Sequence, residues 1–352
     1  MRVVVAPDSF GGTLTAADAA EAFAAGWRDV APGDALTLAP MSDGGPGMVS
    51  ALAAAIAGSR IVAVEAQGPT GQVRLREFLV AGDVAYVESA VACGLEELRE
   101  LGGDVVTATT YGVGQLVAAA AALPEITTVV VGLGGSGTND GGKGLWDAVG
   151  PQLAAGAQPV LGVRLVAATD VDNPLLGLYG ATAVYGPQKG ADQAAIMALD
   201  AALERWADQV EASVDMPGLR NQPGAGAAGG LAFGLMALGA ARESGADLVM
   251  TAVGLAGAIE GADLVVTGEG RFDATSLRGK VVSGVAQRAQ AAGVPCIVAA
   301  GQAQIGSRDA SANGIDEVWS VAEELGSAEA ALEAGADGVR RLGAAIARSW
   351  SR

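Results

Sequence analysis

Histidine is absent from this 352-residue chain. That removes every Ser-His or Cys-His nucleophile pair and every imidazole-ligated metal. Proton transfer falls to carboxylates or lysine, and a metal site to oxygen ligands, which favours Mg²⁺. Aromatic residues are only 4% while glycine numbers 53, so much of the 51% hydrophobic share is alanine and small aliphatic side chains. Such a composition suits close backbone packing in an α/β protein better than an aromatic-rich β sandwich. Bases are scarce as well: 21 Lys and Arg against 39 Asp and Glu give a formal charge of −18. A surface that negative repels phosphate backbones and anionic lipid, which argues against nucleic acid and membrane partners. An anionic substrate then needs locally placed Lys, Arg, backbone N–H groups or a metal. The only cysteines, Cys93 and Cys296, each sit among apolar neighbours and read as buried thiols of a reducing compartment. No window reaches the length of a membrane span without Gly, Pro or charge, and the short apolar run before Pro7 is no signal-peptide core. These features predict a cytoplasmic protein.

What is present is a strand–helix rhythm. Arg2–Ala6 reads as a buried strand, Thr15 caps a helix running to about Val30, Ala35–Ala39 is a second strand, and Pro46 opens a helix after the loop MSDGG. Near Ile61 the rhythm changes to three strand-like runs, Ile61–Glu65, Val73–Val80 and Val84–Glu88, in the manner of a meander. A helix from about Gly112, strands Thr127–Leu133 and Val163–Ala168, and a long amphipathic helix over Ala191–Val214 follow. From Asp263 the first rhythm returns, with strands Leu264–Thr267 and Cys296–Ala300 and a final helix after Gly326. The simplest organisation is a discontinuous Rossmann-like parallel-sheet domain, residues 1–62 and 262–352, interrupted by a second α/β domain with a mixed sheet at 63–261.

The loops that carry chemistry share one position: each follows a strand at its carboxyl end, where open α/β sheets bind ligands. GLGGSGTNDGGKG, after Thr127–Leu133, contains both G-x-G-x-x-G and most of a P-loop. Neither template is complete. The dinucleotide motif needs an acid about 20 residues on, whereas after Asp147 none appears until Asp170, 33 residues past Gly137. The P-loop needs Ser or Thr after its lysine, and Gly144 stands there. What survives is a glycine-rich turn whose N–H groups suit an anion, with Gly134, Gly135, Ser136, Thr138 and Asn139 as candidates and Asp140 as a helix cap or metal contact. TDVDNPLLG sets Asp170 and Asp172 two residues apart beside Asn173; in an extended segment both carboxylates share a face, and an Asx-turn before Pro174 is the alternative. YGPQKG supplies Lys189, solvated or fixed to meet a phosphate. TGEGRFD supplies Glu269, Arg271 and Asp273, Arg being the natural fork for carboxylate or phosphate unless the three pair with each other. Asp8, beside Ser9, and Asp43 end the first two strands, completing a ring of acids that calls for Mg²⁺.

In order, PDSF-x-GTL, SDGGPG, GLGGSGTNDGG, DVDNPL, YGPQKGA, PGAGAAGG and TGEGRFD-x-x-S-L-x-GK span Val3 to about Gly301 and resemble the bacterial glycerate kinase family, type I. The resemblance implies ATP-dependent phosphorylation of D-glycerate, usually to 2-phosphoglycerate, by two α/β domains with the active site in the cleft between them. On the matching motifs, Asp172 or Asp170 would orient the hydroxyl, Asp43 and Glu269 would lie near Mg²⁺, and Arg271 and Lys189 would hold carboxylate or phosphate. The Gly134–Asn139 loop, Asp8, Ser9, Asn173, Gly226 and Gly229 would line nucleotide or substrate. Two departures stand out: the first loop lacks the lysine common after PDSF, and Pro46 replaces the acid of DGGEG. An NAD-dependent oxidoreductase and a catalytically silent organic-acid or nucleotide binder are the rival readings, and a homodimer is possible.

Overall fold

The structure, a computed structural model, describes residues 1–154, 161–277 and 281–351. Gly279 and Lys280, which close the TGEGRFD motif, lie outside the described residues. The described chain divides into two compact units. One comprises residues 1–43, 50–57 and 246–352, the other 44–49 and 58–245.

The first unit is built on five parallel strands, Arg2–Pro7, Ala35–Leu38, Leu264–Gly268, Cys296–Ala300 and Glu317–Ser320. Val3, Val4 and Val5 are buried on both faces, as a β-branched run inside a parallel sheet must be. Counted within the unit, the strand order across the sheet is 2-1-3-4-5, the flavodoxin-like variant of the doubly wound fold. The chain reverses direction across the sheet between Arg2–Pro7 and Leu264–Gly268, so the loops after these two strands flank the switch point. On one face, Val3, Val5, Val266 and Ile297 pack with Phe23 and Trp27 of helix Ala16–Val30 and with Leu342 and Ile346 of helix Ala328–Trp350. Thr15 caps the first of these helices, its hydroxyl accepting from Asp18 N. On the other face, helix Val281–Ala291 lies against the third and fourth strands.

The second unit carries a six-stranded mixed sheet whose order simply follows the chain: Arg60–Gln67, Val73–Ala81, Val84–Glu88, Thr128–Gly132, Arg164–Ala168 and Ala241–Glu243. The first three form the antiparallel meander, with Gly71 at φ +89° in the first turn and Gly82 at φ +61° in the second. The remaining pairs are parallel. Phe78, Val87, Val131 and Ala167 on the sheet pack with Val113, Leu116 and Val117 of helix Tyr111–Ala121 and with Leu231 and Leu235 of segment Ala227–Ala237. The long helix is Gln193–Val214; Asp192 caps it, and Leu199, Leu203, Ala207 and Val210 form its buried stripe. Pro46 stands two residues ahead of helix Met48–Ala55 rather than inside its first turn. Both cysteines are buried and free. Among the described residues no helix is long and apolar enough to cross a membrane.

Candidate active site

In the second unit the glycine loop leaves strand Thr128–Gly132 and turns sharply against its neighbours. A Cβ on Gly134 would lie 2.4 Å from Gly45 Cα, and one on Gly135, at φ +74°, would lie 2.4 Å from Pro46 Cγ. These glycines therefore permit loop-on-loop packing. Three of the loop's amides are occupied: Gly134 N donates to Gly44 O at 3.3 Å, Gly137 N to Cys93 O at 2.7 Å and Gly141 N to Gly229 O at 3.0 Å. Helix Lys143–Ala154 begins just beyond, and Asp140 fills its N-terminus. Its carboxylate accepts from Gly142 N at 3.0 Å, Gly144 N at 3.1 Å and Thr110 N at 2.8 Å, besides the Thr110 hydroxyl. Desolvation inside this ring of donors pushes the Asp140 carboxyl above its usual range, against the pull of the amides. Asp140 is thus the helix cap, and the dipole end that would attract an external anion holds an internal one.

Lys189 lies beneath the same loop, 7% exposed. Its Nζ donates to Ser136 Oγ at 3.0 Å and to the Thr138 carbonyl at 2.7 Å. Burial lowers its pKa to about 8, partly offset by the nearby Asp140 carboxylate. The lysine is neither solvated nor at the surface; it pins the loop and charges it from behind. Cys93, fully buried in the same cluster, has its thiol pushed up to about 12 and stays protonated. Asn139 is held by its amide, which donates to Thr182 Oγ1 at 2.8 Å.

Gly226 and Gly229 act in the same packing. A Cβ on Gly226 would lie 2.2 Å from Pro174 O, and one on Gly229 would lie 2.0 Å from Thr138 O. Ala228, Gly229 and Gly230 run at φ 53°, 65° and 85°, a left-handed turn in which Ala228 is one of two non-glycine residues at positive φ among the described residues. Strain of this kind persists only where surrounding contacts enforce it.

The two acids of the loop after strand Arg164–Ala168 differ in exposure. Asp170 is half-buried, while Asp172 is exposed and pairs with Arg242 at 2.6 Å. Asn173 is fixed at both ends: its amide donates to Tyr179 O at 2.8 Å, and Tyr185 OH donates to its Oδ1 at 2.7 Å. Glu88, at the end of strand Val84–Glu88, was not among the sequence candidates. It is 7% exposed and accepts from Gly47 N at 3.0 Å and Val49 N at 3.4 Å, at the start of helix Met48–Ala55. Burial raises its pKa against these amides. Beside Glu88 and Gly135 opens a depression of about 610 Å³ that also touches Arg76 and Arg99. The Arg76 charge is already committed to Glu97, at 2.7 and 2.8 Å.

In the first unit the candidates follow successive strands. Asp8 and Ser9 come after Arg2–Pro7, Asp43 after Ala35–Leu38, and Glu269 and Arg271 after Leu264–Gly268. Asp8, Ser9, Asp43 and Glu269 are half-buried. Asp8 Oδ1 accepts from Ser9 N at 2.6 Å, and Asp8 N donates to Gly268 O at 2.8 Å, tying the two switch-point loops together. Arg271 is 62% exposed, with Asp273 at 3.4 Å and Gln304 Oε1 at 3.0 Å. Asp273 also caps the next turn, accepting from Thr275 N at 2.8 Å. Gly270 and Gly301 let these loops approach: a Cβ on Gly301 would lie 2.5 Å from Gly270 O.

Two α/β units whose glycine- and acid-bearing loops follow the carboxyl ends of strands define an α/β protein built to bind a ligand there. The chain belongs to the glycerate kinase family, whose model matches residues 3–162 and 152–351. It is 38% identical to the glycerate kinase of Halalkalibacterium halodurans, over 99% of both chains. To the glycerate 2-kinase of Escherichia coli K12 it is 36% identical, over 99% of this chain and 97% of the other. The crystal structure of a protein from Salmonella typhimurium LT2, assigned as a glycerate kinase 2, superposes with a TM-score of 0.82 at 34% identity, covering 99% and 98%.

Proposed function

We propose that this chain transfers the terminal phosphoryl group of ATP to a hydroxyl of D-glycerate, giving 2-phosphoglycerate. The observation that carries the reading is the family match along both units, including every loop at the carboxyl ends of the strands. Identity to a relative named for the 2-position supports the regiochemistry.

The residues divide the work by chemistry. With no histidine present, a carboxylate is left to orient and deprotonate the acceptor hydroxyl, and Asp170 or Asp172 takes that role. Ser136, Thr138 and Asn139 sit on the loop that Lys189 fixes, so their polar groups stand in one arrangement before substrate arrives. The buried Lys189 ammonium places one positive charge behind Ser136 and Thr138, which favours the carboxylate or the transferring phosphoryl group there. Arg271, exposed at the first unit's switch point, offers a second cation for phosphate.

Among the described residues no three Asp, Glu or Cys side chains lie close enough to hold a metal ion alone. Mg²⁺ does not require that: it keeps waters and phosphate oxygens and takes one or two carboxylates. Asp43 and Glu269, with Asp8, are oxygen donors of the right kind, so the donor set fits an ion that arrives on the nucleotide. Such an ion would neutralise charge on the phosphate oxygens.

A coupled assay for ADP release with D-glycerate tests the reading, and ³¹P NMR of the product separates 2- from 3-phosphoglycerate. No glycerate-dependent ADP release from the purified chain defeats it. The 3-phosphate as product would correct the regiochemistry alone.

A further inference from the structure

We propose that a cavity of about 160 Å³ at the carboxyl edge of the first unit's sheet is the subsite for the base of the nucleotide. The proposal rests on the kinase reading above and adds where the nucleotide's apolar end goes.

Four of the unit's five strands deliver residues to this cavity. Phe10 follows the first strand, Gly270 the third, Gly301 the fourth and Val321 the fifth. It therefore opens at the sheet edge and beside the topological switch point, where doubly wound folds place their ligands. The far wall is helix Ala328–Trp350, through Ala331, Leu332 and Val339.

The lining chooses the chemistry. Phe10, Leu14, Val321, Leu332 and Val339 give it a largely apolar interior. Glycerate, with a polar group on every carbon, gains nothing from such walls; a flat heteroaromatic ring does. Gly335 sits in the wall at φ 48°, ψ −123°, and a Cβ there would meet nothing within 4 Å. An α-helical hydrogen-bond ladder cannot run unbroken through that conformation. The break lies in the cavity's wall, where a peptide group freed from the ladder would give the ring nitrogens and amino group of a base a polar partner. Gln302 adds a side-chain amide. At the mouth stands exposed Arg271, placed to meet phosphates that extend outward from the base. Leu332 is 58% exposed beside it, a large apolar side chain at a rim where a solvated surface would favour polarity.

The test uses ADP titrated calorimetrically into the wild-type chain and into two variants, with melting temperatures recorded for each. Ala331→Trp fills the cavity from a half-buried position. Leu332→Asp changes only the exposed rim and keeps the fold if the larger substitution does not. Both variants should weaken ADP by about tenfold or more, the loss of a ring's worth of apolar contact. The KM for ATP should rise in parallel while the KM for D-glycerate stays unchanged. Adenosine alone should compete with ATP in the wild type and lose that effect in the variants. Unchanged ADP affinity in Leu332→Asp and in folded Ala331→Trp overturns the subsite, as does a wild-type chain that does not bind ADP. A wild-type chain that binds ADP in this variant-sensitive way, yet releases none from ATP with D-glycerate, upholds the subsite and refutes the kinase reading.

Discussion

Both units use glycine to bring loops together, as at Gly301 against Gly270 in the first, and the first also uses it to seat one long helix on another. In the first, tight contacts join two helices: a Cβ on Gly26 would lie 1.8 Å from Arg340 O, and one on Gly343 would lie 2.3 Å from Phe23 O. In the second they join loops that follow strands, with Gly134 against Gly45, Gly226 against Pro174 and Gly229 against Thr138. One arrangement stiffens a scaffold. The other stiffens the loop that carries Ser136, Thr138 and Asn139, and it sets that loop over a buried lysine. Their difference teaches that glycine content alone does not mark a phosphate cradle; what matters is whether the loop's amides face a ligand or a neighbouring loop.

Substitutions can break or sharpen this contrast, and the largest expected effect is on the acids. If either acid of the TDVDN loop is the base, Asp170→Asn or Asp172→Asn should lower turnover by about 10²–10⁴, read in the ADP-release assay. Wild-type rates in both would remove the base from this loop. Arg242 bears on the assignment, because it holds Asp172 at 2.6 Å; in Arg242→Ala an Asp172-dependent rate should change.

Gly229→Ala comes next. Its Cβ would press on Thr138 O while φ stays near +65°, so the loop must move. A stability loss of about 2–4 kcal/mol by denaturant titration should accompany a roughly hundredfold fall in turnover, since small misplacements of positioned groups are costly to rate. A stability loss with full turnover would strip this loop of its catalytic part.

Lys189 provides a pH signature. Its pKa of about 8 lies below the ordinary lysine value of 10.5 because burial disfavours the charge. Between these values the unfolded chain binds more protons than the native one. The lysine's contribution to stability therefore rises with pH over that window. Turnover should move the other way and fall as pH passes about 8, where the loop loses its positive charge. In Lys189→Met that limb of the profile should vanish, and leaving Ser136 and Thr138 O without their donor should lower stability by about 1–3 kcal/mol. A falling limb that survives in the variant assigns it to another group.

Smallest on turnover, though not on stability, is Gly26→Ala. The added methyl forces the two helix backbones apart and should cost about 2–4 kcal/mol with kcat and both KM values unchanged. A change in KM would show that the helix pair influences the site.

Much of the fold was legible because its strands are long, apolar and bounded by turn residues. Val3–Val5, Val129–Val131 and Val265–Val266 are β-branched runs that periodicity cannot miss. Four short strands were not foreseen, two of them the two-residue pair Arg271–Phe272 and Gln302–Ala303. Ala241–Glu243 is three residues, two of them charged, and is a strand only because Arg164–Ala168 lies beside it. Glu317–Ser320 at the other sheet's edge has the same excuse. In the site, Asp140 was offered both as a cap and as a metal contact, and the structure shows the cap. Glu88 went unnoticed because it ends a meander strand and no glycine or second acid stands beside it.

The sequence alone determined the chemistry that is possible: without histidine and with few bases, it limits proton transfer to carboxylates and lysine and confines anion binding to a few loops. It also determined the class of fold, since the period of its apolar residues fixes which segments pair as buried strands. The tertiary structure alone decided what each loop's polar groups face. Lys189, a lone cation between turn residues in sequence, is buried under a loop some 50 residues away by chain, Ser136 to Lys189 being 53 apart. Its partners, and hence its charge and its pH dependence, are set by packing at that distance, which no local pattern of residues records.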